Sequence, residues 1–112
     1  MRKPIRFADR AERDVRDIAR WTQERFGTQQ ADRYVRHIKA ATRRVGEDPQ
    51  GLGTRIRDEL GPNKRSFHVS HVLRPARHLI VFEVRQNEIL ILRILHERMD
   101  VASQVAPEDD PG

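Results

Sequence analysis

An α+β domain, with an antiparallel helical hairpin on one face of a small sheet, is predicted by three features of the sequence. Between residues 9 and 45, apolar side chains recur every three or four positions in two stripes separated only by Gly27 and Thr28. Between residues 65 and 95, three runs rich in apolar and β-branched residues are divided by polar breaks. Ahead of both lies a short alternating stretch, "KPIRFA". A chain of 112 residues makes one domain, with room for a modest core and not for two.

The elements follow in order. In "KPIRFA", Ile5 and Phe7 alternate with polar neighbours, which predicts an opening strand. Asp9 with Glu12 three residues on has the form of an N-cap and its capping-box partner. The stripe Ala8, Ala11, Val15, Ile18, Ala19, Thr22 and Phe26 predicts a helix from Asp9 to Phe26, ended by Gly27. Thr28 is placed to cap a second helix with the stripe Ala31, Tyr34, Val35, Ile38, Ala41, Thr42 and Val45, closed by Gly46 and Pro49. So short a link folds the two helices back on one another. Residues 46–64 hold most of the glycine and read as a connector. "RSFHVS" puts Phe67 and Val69 on one face; "RHLIVFEV" and "EILILRIL" follow, joined by the tight polar break "RQN". These give a three-stranded antiparallel meander, with the opening strand pairing at one edge. The domain is expected over residues 1–102, and 103–112 as a disordered acidic tail. There are no internal repeats.

Composition limits the function classes. Only 37% of residues are apolar and 35% are charged, so the core is thin. No apolar run approaches the roughly 18–20 residues of a membrane span, and "MRKPIRFAD" lacks a secretory signal's apolar stretch. The absence of cysteine removes disulfides, thiolate metal sites and a cysteine nucleophile. The expectation is a cytoplasmic protein without cofactor. Net charge is +5, and +8 (22 basic against 14 acidic residues) once Glu108, Asp109 and Asp110 are set aside. Nearly all of the positive charge is arginine, suited to phosphate or carboxylate. Charge alone does not separate a nucleic-acid binder from a binder of an acidic protein.

Little chemistry is written in motifs. "GLG" opens no helix and makes no phosphate loop. His68 and His71, three apart on an expected strand, point to opposite faces, and His37 has no ligand type one turn away, so no metal site is expected. Arg65, Arg74, Arg77 and Arg93 lie in the strand region with His78 and His96. They either hold an RNA phosphate, with His96 as general acid or base, or extend into solvent from strand ends. Arg93 lies inside "LILRIL", on the expected side of Ile89, Ile91 and Leu95, and a charge there needs a partner on a neighbouring strand or another protein. Trp21 sits at the border of its stripe, as an edge-of-core residue or a partner anchor.

Strand, capped helical hairpin, connector, meander and then "ILRILHERMD" together resemble the RelE/ParE superfamily of bacterial toxins, and its ParE branch in particular. "SFHV", "RHLIVFEV", "LHERMD", "ADRAERDVRDIARWTQERFG" and "QADRYVRHI" carry the likeness over residues 1–102. One departure is the 70–77 loop, "SHVLRP" and its flank, which is longer than the family's usual connection.

The resemblance implies a toxin that poisons DNA gyrase and is neutralised by a ParD-like antitoxin in a hetero-oligomer, with DNA reached only through that complex. The RelE-like branch instead cleaves mRNA on the ribosome, using basic residues, an acid/base and commonly an aromatic near the C-terminus. On that alternative the residues would be Arg65, Arg77, Arg93 and His96. Nothing aromatic follows Phe82, and Glu97 and Asp100 beside His96 would repel phosphate, which favours the gyrase branch. Its target surface is expected at Arg93, His96, Arg98, Met99 and Asp100, and its antitoxin surface at Val15, Ile18, Trp21, Tyr34 and Ile38. The bland reading of "HERMD", a strand cap leading into a turn, stands beside this. So does a plain nucleic-acid-binding module, though a basic face without interleaved aromatics is poor for single strands.

Overall fold

The structure, a computed structural model, describes residues 2–105. The strands are β1 (Ile5–Phe7), β2 (Thr54–Ile56), β3 (Lys64–His68), β4 (His78–Val84) and β5 (Ile89–His96). The helices are α1 (Asp9–Phe26), α2 (Thr28–Glu47) and the single turn α3 (Val101–Gln104). The strands form one sheet in the order β1-β5-β4-β3-β2. The expected meander is β3, β4 and β5, and β1 pairs at the edge. That pairing is parallel, so the sheet is mixed.

Several local expectations are corrected. The connector contains a fifth strand, β2, antiparallel to β3. Asp9 is the first helical residue and caps nothing; extended Ala8 holds the N-cap position. Ala8 N–H still bonds to Ile91 O (2.9 Å) while its carbonyl already accepts from Glu12 N–H (3.0 Å), so the chain passes from strand to helix with no residue between. Thr28 caps nothing either: Gly27 serves both helix ends, with a φ of 92° in the left-handed region that favours glycine. Gly46 does not close α2 but lies buried inside it, because a Cβ there would stand 2.7 Å from Ile5 Cδ1. β3 stops at His68, and Val69 turns inward at the start of a 3₁₀ turn. The expected boundary at residue 102 falls within α3, and Val105 is buried; the rest of the expected tail lies outside the described residues.

Alternation along β4 and β5 separates two cores. Ile80, Phe82, Ile89 and Ile91 pack with Ala11, Ile38, Ala41 and Val45 of the hairpin. Leu79, Val81, Leu90 and Leu92 pack on the other face with Leu60, Val101 and Val105. A bulge in β5 breaks the alternation, since Arg93 stands opposite Val81 whereas Ile91 stands opposite Phe82, leaving Leu92 as the extra residue. Beyond it Ile94 belongs to the hairpin-side core and Leu95 to the other. Arg93 therefore shares a face with Leu95, as the sequence suggested, but not with Ile89 and Ile91.

Its partner is on α1. Arg93, 7% exposed, donates from Nε to Asp14 Oδ2 (2.8 Å) and from Nη2 to Asp14 Oδ1 (3.0 Å), and from Nη1 to Gln104 O (2.8 Å). Asp14 Oδ2 also accepts from Ile94 N–H at 2.9 Å. No helix among the described residues is long and apolar enough to cross a membrane.

Replacing Arg93 with Leu leaves the largely buried Asp14 without its countercharge and Gln104 O without a donor. Urea unfolding of Arg93→Leu is expected to show a loss of about 3–5 kcal/mol. Adding Asp14→Asn, whose amide oxygen still accepts from Ile94, should recover part of it. A single variant as stable as the parent would mean the pair does not hold the fold.

Candidate functional site

The end of the meander gathers polar side chains from four elements. His78 opens β4 and His96 closes β5; they are cross-strand partners with ring centroids 5.4 Å apart, edge to face. Tyr34 of α2 reaches them. Its hydroxyl oxygen accepts from Arg77 N–H (3.1 Å), so its own proton is directed at His78 Nδ1 (2.7 Å). Burial pushes the Tyr34 phenol up from its ordinary range. Burial, reinforced by the neighbouring His96 and His68, lowers His78 to about 4. His78 is therefore uncharged at neutral pH, with its proton on Nε2.

A second group lies beside it. Glu97 Oε1 meets His68 Nε2 at 2.8 Å, and its Oε2 accepts from Arg77 Nη1 at 3.1 Å. These bonds, His68's first, hold the Glu97 carboxyl below its ordinary value. Backbone amides fix two of the rings: Ser70 N–H donates to His68 Nδ1 and Arg98 N–H to His96 Nδ1, each at 3.1 Å. The strand ends are thus clamped together, and the exposed residues Arg98, Met99 and Asp100 project from the clamp. Asp100 also caps α3, accepting from Ala102 N–H at 3.2 Å.

The structure redistributes the residues picked from sequence. Of the target set, His96, Arg98, Met99 and Asp100 come together at this rim, but Arg93 is buried on Asp14 and offers a target nothing. Of the ribonuclease set, only Arg77 and His96 are neighbours, and Arg77 is neutralised by Glu97. Arg65 stands opposite Phe82, four residues along β4 from His78, or ~13 Å, and bonds to Thr54 Oγ1 (3.3 Å). No convergent cationic site for a phosphate results. His68 was not assigned to a site from sequence, His78 was named only among the arginines of a possible phosphate face, and Tyr34 was placed on the antitoxin surface and not at this rim. The legible signal was a histidine at each of two adjacent strand ends.

The expected antitoxin surface also divides. Ile38 is 0% exposed and is core, not contact. Val15, Ile18 and Tyr34 are partly buried against that core. Trp21 is 52% and Phe26 64% exposed, which removes Phe26 from the core stripe. Their rings meet edge to face at 6.1 Å, and the Arg25 guanidinium lies 4.6 Å from the Trp21 ring centre. An exposed aromatic pair thus marks the C-terminal end of α1.

Residues 5–101 match the family model described as "ParE toxin of type II toxin-antitoxin system, parDE". The chain is 32% identical over 99 residues to Toxin ParE of Escherichia coli, covering 86% of each chain. To Toxin ParE1 of Caulobacter vibrioides it is 29% identical over 103 residues, covering 92% of this chain and 98% of the relative. A structure titled "Chromosomal ParDE TA system from P. aeruginosa" superposes with a TM-score of 0.68 at 23% identity, covering 84% of this chain and 95% of that one, and so shares the fold.

His78 makes the clamp acid-sensitive. Its ionisation is depressed in the folded state, so its stabilising contribution is complete above its unfolded value of 6.5 and is lost as pH falls toward about 4. The lowered Glu97 and Glu88 act in the same sense but only below about 4.5. Urea unfolding at pH near 7 and near 5 should therefore show a larger loss for the parent than for His78→Gln. Equal losses would mean that His78 is already free to ionise in the fold.

Proposed function

The chain belongs to the ParE toxin family of type II toxin–antitoxin systems, and from that premise we propose that it arrests growth by acting on DNA gyrase in the cytoplasm and is neutralised by a ParD-like antitoxin. The observation that carries this reading is the extent of the family match, which runs from the first residue of β1 to the first of α3 and so takes in every strand. The geometry at the rim supports it against message cleavage. A ribonuclease needs cationic side chains aimed at one phosphate and a group poised to move a proton. Here one arginine is sunk on Asp14, another is held by Glu97, and His78 is kept neutral by burial. The exposed rim of Arg98, Met99 and Asp100, mixed in charge and carrying one thioether, suits contact with a protein better than with a phosphate backbone.

Trp21, with Phe26 and Arg25 packed about it, is the reading's antitoxin anchor, and the partly buried Val15, Ile18 and Tyr34 are the other members of the expected surface. Aromatic residues of this kind dominate interface energetics. DNA is reached through the toxin–antitoxin assembly.

Induced cells are expected to filament and to switch on an SOS reporter. The purified chain should inhibit supercoiling by gyrase in vitro, and primer extension should show no new codon-positioned cuts. Early cuts with untouched gyrase would replace this reading with the RelE-like one.

Antitoxin release is a separate measurement. Trp21→Ala is expected to weaken the complex by about 2 kcal/mol or more, chiefly through faster dissociation. The loss should persist in high salt, because a buried aromatic acts on the off-rate and steering charges on the on-rate. Surface plasmon resonance at two ionic strengths checks it. A folded variant that dissociates at the parent rate would move the anchor elsewhere.

A further inference from the structure

β2 ends the sheet on the side away from β1, and its ladder with β3 fixes which of its backbone groups are spent. Arg57 N–H bonds to Lys64 O at 2.9 Å, so in this antiparallel pair Arg55 and Arg57 turn their backbone groups toward β3. Thr54 and Ile56 turn theirs outward. Thr54 N–H is taken by Gly51 O at 3.1 Å, within the turn that precedes the strand. The open edge keeps Ile56 N–H and the carbonyls of Thr54 and Ile56, followed by Asp58 N–H where the 3₁₀ turn Asp58–Leu60 begins. Among the described residues no hydrogen bond takes any of these four groups. The far end of the sheet is closed by contrast: Lys3 N–H goes to Gly46 O and Ile94 N–H to Asp14. β2 also lacks the usual guards of an open edge, having no proline and no bulge.

Apolar surface and charge of both signs lie at the same edge. Leu52 is 90% exposed, more than any other large apolar side chain among the described residues, and Ile56 is 60% exposed. Ile56 and Thr54 share the hairpin face with Arg65, which reaches Thr54 Oγ1. Arg55 and Arg57 share the other face, where Arg57 holds Glu59 at 3.3 Å. Arg55 and Asp58 are exposed, and among the described residues neither side chain forms an ion pair.

We propose that the β2 edge is a self-association surface, at which a second copy of this chain pairs antiparallel about Ile56 and joins two five-stranded sheets into one. In that register Ile56 N–H and C=O bond to the same groups of the second copy, and Asp58 N–H meets the other Thr54 carbonyl, so every open group finds its complement. The two Ile56 side chains come together on the hairpin face. Each Asp58 lies near the other copy's Arg65, and each Arg55 near the other copy's Glu59. Pairing about Arg55 instead would set two arginines directly opposite one another, which is unfavourable. A strand of one charge sign from another protein would satisfy half of this edge and be repelled by the rest. The pairing is short, so the dimer is weak and forms in the micromolar range. The surface is separate from the Trp21 patch and from the rim beyond His96, and the inference depends on neither the target nor the antitoxin reading.

The test is sedimentation velocity on the full-length chain between about 2 and 200 µM, where a shift from monomer to dimer is expected. Ile56→Pro removes the outward N–H and leaves the ladder with β3 intact; it should melt with the parent and stay monomeric throughout. The chain has no cysteine, so single cysteines report the register. Opposed residues of a hydrogen-bonded pair stand about 5.5 Å apart at Cα, within disulfide reach, whereas the two Arg55 positions would be ~8 Å apart in the proposed register. Mild oxidation should therefore crosslink Ile56→Cys at least about fivefold faster than Arg55→Cys. A chain that stays monomeric would leave the edge to another protein's strand and overturn the proposal. So would a dimer that survives Ile56→Pro, or an Arg55→Cys protein that crosslinks as readily as Ile56→Cys.

Discussion

Everything in this fold is arranged around the point where β1 gives out. β1 is three residues long and pairs only with Ile89, Leu90 and Ile91, so the second half of β5, the most buried strand in the molecule, has no neighbour on that side. An exposed edge there would leave Ile94 N–H unsatisfied in a dry environment, at a cost comparable to a lost hydrogen bond. The carboxylate of Asp14 stands in for the missing strand. It takes the Ile94 N–H and then needs a countercharge, which the adjacent Arg93 supplies with two bonds of its own. Arg93's third bond, to Gln104 O, fastens α3 over the second core. A buried pair of this kind adds little stability beyond that of well-packed apolar residues, but breaking it is costly, so it fixes arrangement more than it adds strength. Helix α1, the end of β5 and, through Arg93, α3 are thus tied together at one carboxylate.

The bulge has a second consequence. By shifting the alternation of β5 by one position, it sends Ile94 toward the helical hairpin and Leu95 away from it, so that both faces stay apolar to the strand's end. His96, two residues beyond Ile94, then falls on the hairpin side, where it meets His78 and, through it, Tyr34. The clamp at the rim is thus positioned by a backbone irregularity some four residues away. Glu97, on the next position, points to the opposite side and collects His68 and Arg77. Two small polar groups, one on each side of the sheet, replace what would otherwise be frayed strand ends, and the exposed residues that follow inherit a fixed origin.

Which of this could be read from the sequence follows from the range of the interactions. The hairpin, the meander and the edge position of β1 were legible because period and turn residues are local signals. β2 was not, since "TRI" is three residues between glycines and gains its structure only from pairing with β3. Nor was Gly46 legible as a helix residue, because what demands glycine there is Ile5, forty-one positions away in the chain. Asp14 lies off the apolar stripe of α1 and looked like one charge among many; only the bulge makes it the partner of Arg93. At the candidate site the rim itself was legible from the change in character at "HERMD". Arg93 was correctly marked as needing a partner, but its face was assigned by an unbroken alternation that β5 does not keep. Tyr34 was read as core from its stripe, and its ring is partly so; the chemistry lies in its hydroxyl, whose partners come from another element.

The arginine content, which composition left open between nucleic acid and acidic protein, divides once positions are known. One set is structural. Lys64, Glu83, Arg85, Glu88 and Arg6 link β3, the β4–β5 turn and β1 in a chain of ion pairs with contacts of 2.7–3.3 Å, and Arg57 donates to Ser66 Oγ at 2.8 Å. Apart from Arg6 these side chains are only 12–26% exposed, and they consume the positive charge of the sheet's flank. The other set, Arg33, Arg36 and Arg43 on α2, Arg74 in the loop facing it, Arg13 and Arg16 on α1, Arg55 on β2 and Arg98 at the rim, is exposed and forms no side-chain ion pair among the described residues. A uniformly basic surface would have favoured the extended, sequence-blind contact of a polyanion. Here exposed arginines stand among exposed carboxylates such as Asp17, Glu24 and Asp32, so no such uniform field is built.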